Sequence, residues 1–152
     1  VVPFIEEIDG IAGLYDPDSY YMQNVYPAGT IQEYGGILVN GSDAPVGNRN
    51  PVPFSSLQQA ITRSNGEVVL NEGQRIDVHS AIAAFTINGA RLFGHEDKLG
   101  SIEVGKTADI VALSQNIVDL AGQGRALEIS NTAVTLTVFD GRIVYEGEPA
   151  LD

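Results

Sequence analysis

The sequence contains no cysteine among its 152 residues. This absence excludes disulfide bonds, thiolate metal sites and a cysteine nucleophile, and it leaves the redox compartment undetermined. Long hydrophobic runs are also absent, as is any signal-peptide pattern. Nothing in the sequence therefore directs the chain to a membrane.

Basic residues are scarce. Eight Lys and Arg stand against twenty Asp and Glu, which gives a formal net charge of −12. The phosphates of DNA, RNA and anionic lipids would be repelled, so we expect no nucleic-acid or membrane-surface partner. The acidic residues are scattered rather than gathered in a tail, which indicates a role in solubility.

Histidine is scarce as well, with only His79 and His95 in the chain. On one continuous helix their separation would place them about 160° apart, so we do not expect them to share a site. No H-x-H or H-E-x-x-H pattern occurs, and this chain alone does not supply the three protein ligands of a usual catalytic zinc site. The serines lack a G-x-S-x-G turn and a histidine partner, which argues against a serine hydrolase.

The periodicity of apolar residues predicts a mixed α/β arrangement that is not a closed barrel. Asp77 is placed to cap the strongest predicted helix, and Gly94 is placed to end it. Asp140-Gly141 predicts a two-residue turn between two strands, and hence an antiparallel terminal sheet. The predicted elements are a strand at 36–40, helices at 54–63 and 77–93, and strands at 108–113, 132–139 and 142–146.

The stretch from Gly100 to Thr107 (GSIEVGKT) matches the phosphate-binding pattern G-x-x-x-x-G-K-[ST]. A phosphate-binding loop needs a strand entering the first glycine and a helix leaving the last residue. Here the predicted order is reversed, and Glu103 would lie beside the phosphate. We interpret the motif as a glycine-framed turn, since an ATP-binding domain would rest on this match alone.

Asp43 lies just past the end of the predicted strand at 36–40. In barrel enzymes the carboxyl ends of strands carry the catalytic groups. A carboxylate there could bind a metal, accept a proton from metal-bound water and return it to a leaving group. The pattern alone leaves open a second interpretation, in which Asp43 only caps its own turn.

Several sequence blocks occur together in the order found in one family, and they cover most of residues 35–147. The blocks are Gly41–Val46 (GSDAPV), Asn50-Pro51, Ala60–Arg63 (AITR), Ala81–Gly89 (AIAAFTING) with Ala90, Leu99–Leu113 (LGSIEVGKTADIVAL) and Val134–Tyr145. Together they resemble the amidohydrolases, most closely amidohydrolase family 3, whose members are metal-dependent hydrolases with a composite β-domain. Residues 1–34 match only loosely.

The resemblance implies that Asp43 is the aspartate that binds the catalytic metal and shuttles the proton. It implies a divalent metal, with zinc the expected ion, and hydrolysis of C–N bonds in small amides or cyclic amides. The family's other ligands are an H-x-H pair, a bridging lysine or acid, and two later histidines, and none of them is present. Lys106 and Asp109 would be structural.

We therefore expect the chain to be the C-terminal part of a longer enzyme, an expectation that the absence of an initiator Met at Val1 also suits. A complete eight-stranded barrel needs about 250 residues. Residues 1–95 would form the end of the (β/α)8 barrel, and residues 96–152 would form part of the small antiparallel β-domain. The fragment itself would be inactive and would hold no metal.

Two further expectations concern the role of the chain and its association. The alternative to a hydrolase part is a non-catalytic module for regulation or subunit contact, which would keep the family's sheet without its chemistry. In either case, a barrel strand such as 36–40 is built to be covered on both faces and paired on both edges. We therefore expect a homo-oligomer.

Overall fold

The structure is a computed structural model, and it describes residue 16 and residues 18–42, 44 and 51–147. Within these ranges no helix is both long enough and apolar enough to cross a bilayer. The helices are α1 (Tyr20–Gln23), α2 (Ala28–Glu33), α3 (Pro53–Thr62), α4 (Val78–Phe85), α5 (Ile87–Leu92) and α6 (Ile117–Gly122), with 3₁₀ turns at Glu72–Gln74 and Ala126–Asn131. The strands are β1 (Ile110–Leu113), β2 (Val134–Phe139) and β3 (Arg142–Glu146).

Helix α3 confirms the helix predicted at 54–63, shifted by one residue at each end. Pro53 lies in the first turn, where a missing N–H costs no helical hydrogen bond. Arg63 ends the helix with φ of 56° and ψ of 29°, in the left-handed region. The chain therefore turns sharply at Arg63.

The helix predicted at 77–93 is two helices rather than one. Asp77 caps α4 as predicted, but Thr86 breaks the helical path with φ of −129° and ψ of −101°. The Thr86 hydroxyl donates to the Ile82 carbonyl at 2.8 Å. Because such local side-chain bonds compete with the regular helix, this β-branched residue is a natural place for the break. Gly94 follows α5 with φ of +68°, as expected for a helix stop.

The terminal sheet is antiparallel with the strand order β1-β2-β3. It confirms the strands predicted at 108–113, 132–139 and 142–146, with later starts for the first two. Asp140 and Gly141 join β2 to β3 with φ of 48° and 74°. Two consecutive positive φ values mark the two-residue hairpin turn that this dipeptide predicts.

The prediction of a strand at 36–40 is wrong, because these residues form no ladder with any described segment. The alternation of a strand is nevertheless present. Ile37 and Val39 are exposed, whereas Leu38 and Asn40 are half-buried. A strand needs a neighbour for its backbone hydrogen bonds, and the described residues supply none beside this segment.

One hydrophobic core joins the helices to the elements around the sheet. Its buried members are Phe54, Leu57, Ala60, Ile76, Ala81, Ile117, Leu120 and Ile129. The core therefore contains residues from both sides of position 95, while the division into a barrel part and a β-domain stays a prediction.

Arg63 is fully buried, with none of its surface exposed. Its guanidinium donates to the carbonyls of Leu70 at 3.1 Å, Val25 at 3.0 Å and Tyr26 at 3.3 Å. No carboxylate of the described residues forms an ion pair with it. Burial lowers the pKa of Arg63, but an arginine remains protonated in a protein. Three backbone carbonyls therefore stabilise this charge within the described ranges.

We predict that Arg63→Ala destabilises the chain by about 3–5 kcal/mol, because several carbonyls lose a charged donor and stay out of water. Arg63→Lys should recover less than half of this loss, since one ammonium cannot reproduce the planar fork. The free energy of unfolding is measured with urea. Arg75→Ala is the control, because Arg75 is a more exposed arginine paired with Glu72 and should change stability by less than about 1 kcal/mol. Equal losses for Arg63→Ala and Arg75→Ala would contradict the prediction.

A second prediction concerns the cap of α4. Asp77 accepts hydrogen bonds from the Ser80 hydroxyl at 2.5 Å and from the backbone N–H groups of Ser80 and His79 at 3.0 and 2.9 Å. These bonds, with the Ser80 hydroxyl first, hold the pKa of Asp77 below its ordinary value. The stabilisation of the folded chain by the Asp77 carboxylate is therefore fully present above the pKa of Asp77 in the unfolded state. It is lost as the pH falls through the lower pKa of Asp77 in the folded state.

Asp77→Ala should cost about 1 kcal/mol at neutral pH. Asp77→Asn should keep most of the cap and lose the pH dependence below about pH 4. Unfolding curves at pH 7 and pH 3 measure both effects. A difference between wild type and Asp77→Asn that does not change with pH would show that the charge of Asp77 is not involved.

Association is the third prediction. Ile37 is 63% exposed and Val39 is 39% exposed, so apolar surface of the 36–40 segment is open to another chain. We expect a symmetric dimer that buries the region around 36–63, measured by light scattering. Ile37→Asn should shift the chain toward monomer, whereas Ile102→Asn, at an exposed residue outside the 36–63 region, should not. A monomeric wild type at high concentration would show that the expectation is wrong.

Candidate functional site

The segment at 38–42, which leads to Asp43 in sequence, lies against α4 and α5. The Asn40 N–H donates to the Ala84 carbonyl of α4 at 3.0 Å. The Asn88 side-chain amide of α5 donates to the Leu38 carbonyl at 2.9 Å. Leu38 also packs against the hydrophobic core. Two helices therefore hold this segment, in the absence of a strand ladder.

Asp43 itself lies outside the described residues, but its neighbours are described. The Gly41 N–H donates to Asn40 Oδ1 at 2.9 Å, and the Ala44 N–H donates to Ser42 Oγ at 3.3 Å. Side chains thus satisfy backbone donors on both sides of position 43, as is common in tight turns. The role of Asp43 as a metal ligand or as a turn cap stays a prediction.

An apolar cavity of about 220 Å³ lies beside the same segment. It is lined by Tyr26, Pro27, Ala28, Ile31, Leu38, Val39, Asn40, Ala60, Ile76 and Ala84. This lining contains no carboxylate and no histidine, so it offers neither metal ligands nor an ordinary acid–base pair.

That the two histidines do not share a site stays a prediction. His79 lies in α4 and His95 follows α5, on separate elements. Within the described part of the chain, no group of three or more His, Cys, Asp and Glu side chains could hold a metal ion. His95 and Asp109 both line an open cleft of about 480 Å³, but Asp109 accepts the Asp140 N–H at 2.8 Å and so supports the hairpin.

The GSIEVGKT stretch is a turn, which rules out the ATP-binding interpretation. No helix or strand lies between Leu92 and Ile110, so no strand enters the motif and no helix leaves it. Lys106 Nζ is bound to the Ser101 hydroxyl at 2.6 Å and to Glu103 at 3.0 Å. The Ser101 hydroxyl and then Lys106 lower the pKa of Glu103. The lysine is therefore held by a carboxylate of its own turn.

Gly100 has a steric role in this turn. Its φ is +89°, and a Cβ there would lie 2.8 Å from the Ile87 Cα and 2.9 Å from the Ala90 Cβ. Both distances are too short for a side chain, so the glycine allows the turn to pack against α5.

Comparison with known proteins identifies the family. A family model described as an amidohydrolase family matches residues 9–145. The chain belongs to the amidohydrolase family. This confirms the resemblance found in the sequence, and with it the α/β fold class of a barrel enzyme carrying a small antiparallel sheet.

Individual relatives of this amidohydrolase align with part of its sequence. A 5-methylthioadenosine/S-adenosylhomocysteine deaminase of Teredinibacter turnerae is 40% identical over 62% of the chain and 21% of its own length. An N-substituted formamide deformylase of Arthrobacter pascens is 29% identical over 80% of the chain and 22% of its own length. The chain therefore spans about a fifth of these two relatives.

Solved structures agree with this assignment. An adenosine deaminase from Xanthomonas campestris with bound zinc matches 86% of this chain over 32% of its own length, with a TM-score of 0.61 and 25% sequence identity. An amidohydrolase from Thermotoga maritima matches 88% of this chain over 30% of its own length, with a TM-score of 0.55 and 24% sequence identity. The second likeness supports the fold alone.

Sequence reasoning missed the contacts of Arg63 and Asn88. Both residues stood inside family-like blocks without any assigned role. An asparagine in the middle of a predicted helix is a signal that could have been used, because Asn is a weak helix former that prefers local bonds. A lone arginine that follows the apolar face of α3 is a weaker signal, since most arginines are exposed.

Proposed function

We propose that the chain is the C-terminal part of a metal-dependent hydrolase that acts on C–N bonds other than peptide bonds. The observation that carries the proposal is the family match, which extends over residues 9–145 and includes the block around Asp43. The substrate class is a small molecule with an amide or cyclic amide. Relatives named as deaminases and a deformylase also cleave C–N bonds, which supports the reaction type.

In this proposal Asp43 binds the metal and carries the proton in the complete enzyme. Metal dependence is general for the family, and the related Xanthomonas structure contains zinc, which makes zinc the ion to test first. The described residues do not fit a metal by themselves, since they contain no cluster of ligands. The remaining ligands would have to come from the part of the enzyme that this chain does not span.

The test is a substitution at Asp43 in the longer protein that carries this segment. Asp43→Ala should lower the hydrolysis rate of amide substrates about 10²–10⁴-fold, the usual loss when a general acid–base group is removed. Asp97→Ala is the matched control, because Asp97 is an exposed carboxylate in the turn that follows α5. Full activity of Asp43→Ala would eliminate the proposed role.

The isolated chain provides a second arm of the same test. Elemental analysis after extensive dialysis should find no stoichiometric metal, because Asp43 alone falls short of the three protein ligands of a catalytic zinc site. Zinc near one equivalent that disappears in Asp43→Ala would show that this chain holds a complete site. A longer protein without hydrolase activity would favour a non-catalytic module instead.

A further inference from the structure

The described part of the chain contains three Asn-Gly dipeptides, which are Asn40-Gly41, Asn65-Gly66 and Asn88-Gly89. In such a dipeptide the backbone nitrogen of the glycine follows directly on the asparagine and can attack its side-chain carbonyl carbon. Glycine has no side chain to crowd this attack, and asparagine is a chemically labile residue. Since the three dipeptides are alike in sequence, their hydrogen bonds decide which of them reacts.

Asn88-Gly89 is held at both reacting groups. It lies in α5, where the Gly89 N–H donates to the Thr86 carbonyl at 3.1 Å. The Asn88 side chain donates to the Leu38 carbonyl at 2.9 Å and accepts from Arg91 at 3.3 Å. The glycine nitrogen would have to leave one partner, and the asparagine amide two, before the nitrogen could reach the carbonyl carbon.

Asn65-Gly66 is also held, by partners on opposite sides in sequence. Asn65 Oδ1 accepts the N–H groups of Glu67 and Val68 at 3.1 and 3.0 Å. The Gly66 N–H donates to the Ser64 hydroxyl at 2.9 Å. The asparagine carbonyl is therefore bonded to residues that follow it, and the glycine N–H to a residue that precedes it.

Asn40-Gly41 has a different arrangement. The Gly41 N–H donates to Asn40 Oδ1 at 2.9 Å, so the nitrogen is already in contact with the carbonyl group that it would attack. The Cβ–Cγ torsion of asparagine is soft, and a rotation about it presents the carbonyl carbon to the nitrogen. Gly41 is exposed, and beyond its chain neighbours no atom of the described residues would lie within 4 Å of a Cβ there. The surroundings therefore leave room for the reaction and for water.

We propose that Asn40 is a site of spontaneous deamidation, through attack of the Gly41 nitrogen on its side-chain carbonyl carbon. A bond forms between the Gly41 nitrogen and Asn40 Cγ, and the Cγ–Nδ2 bond breaks. The departing NH₂ group takes up the proton of the Gly41 nitrogen and leaves as ammonia. Water then adds to one of the two carbonyl carbons of the resulting imide ring and opens it. The products are aspartate or isoaspartate at position 40, and the reaction needs no oxidant and no cofactor.

The isoaspartate product changes the main chain itself. Its Cβ becomes part of the backbone, which adds one carbon atom between the Asn40 N–H and Gly41. That N–H donates to the Ala84 carbonyl of α4 at 3.0 Å, so the extra carbon follows directly after the bond that anchors the segment. Deamidation therefore lengthens the connection between this anchor and the residues that follow.

The test is mass spectrometry of the chain after incubation at mildly alkaline pH, where the glycine amide loses its proton more readily. Trypsin separates the three dipeptides, because it cuts after arginine and yields the peptides 1–49, 64–75 and 76–91. Replacement of NH₂ by OH raises the mass of a peptide, fragmentation locates the change, and an unincubated sample gives the background. Asn40 should react at least about tenfold faster than Asn65 or Asn88, because the other two must first break additional hydrogen bonds.

Incubation in urea is the first control. Unfolding removes the hydrogen bonds that distinguish the dipeptides, so reaction at Asn65 and Asn88 should accelerate until all three rates are similar. Gly41→Ala is the second control. The φ of Gly41 is not positive and its surroundings are open, so the chain accommodates the methyl group. A methyl group beside the attacking nitrogen should slow the reaction at Asn40 about tenfold and leave the other two rates unchanged.

Each outcome decides the proposal. The fastest reaction at Asn40 in the folded chain, with the difference lost in urea, supports it. Equal rates in the folded chain, or a faster reaction at Asn65 or Asn88, would overturn it. An Asn40 that is also fastest in urea would overturn it too, because sequence neighbours rather than the fold would then set the order. An unchanged rate at Asn40 in Gly41→Ala would show that the Gly41 nitrogen is not the attacking group. None of these results depends on the proposed hydrolase function.

Discussion

The buried guanidinium of Arg63 connects segments that have no regular structure of their own. Val25, Tyr26 and Leu70 lie outside every helix and strand, and the carbonyls of all three accept hydrogen bonds from the Arg63 guanidinium. Burying a polar group without a hydrogen bond is costly, so the path of the chain there depends on a side chain with several donors. The end of α3 thereby determines where the preceding residues pass.

This contact extends to the candidate site. Helix α2 begins two residues after Tyr26, and the Thr30 N–H donates a hydrogen bond to Gln74 Oε1 at 2.9 Å. The residues of α2 form one side of the apolar cavity beside the 38–42 segment. A buried charge at one end of α3 therefore influences the surroundings of a segment that it does not touch.

Features determined by neighbouring residues could be predicted from the sequence. The Asp140-Gly141 hairpin and the Asp77 cap depend on the conformation and hydrogen bonds of the residues that form them. The turn at Gly100–Thr107 was also predictable, because the elements on either side were of the wrong type for a phosphate site. The short helices α1 and α2 were not predicted, since their four and six residues carry too little periodicity.

Features determined by distant contacts could not be predicted in the same way. The strand expected at 36–40 has the right alternation, but a ladder also needs a neighbour, and the sequence pattern does not report whether one is present. The break at Thr86 lies within a segment whose sequence pattern is helical on both sides. Asp43 was found by its place after an apolar run and by family resemblance, whereas the contact of Asn88 with Leu38 required the fold.

The shared hydrophobic core has a consequence for how the chain unfolds. Phe54 and Leu57 of α3 lie in the same buried cluster as Ile117 and Ile129, which lie between β1 and β2 in sequence. The buried cluster therefore extends across the domain boundary that the sequence predicts near residue 95. We therefore expect α3 and the residues between β1 and β2 to unfold together, because loosening either part exposes apolar surface of the other.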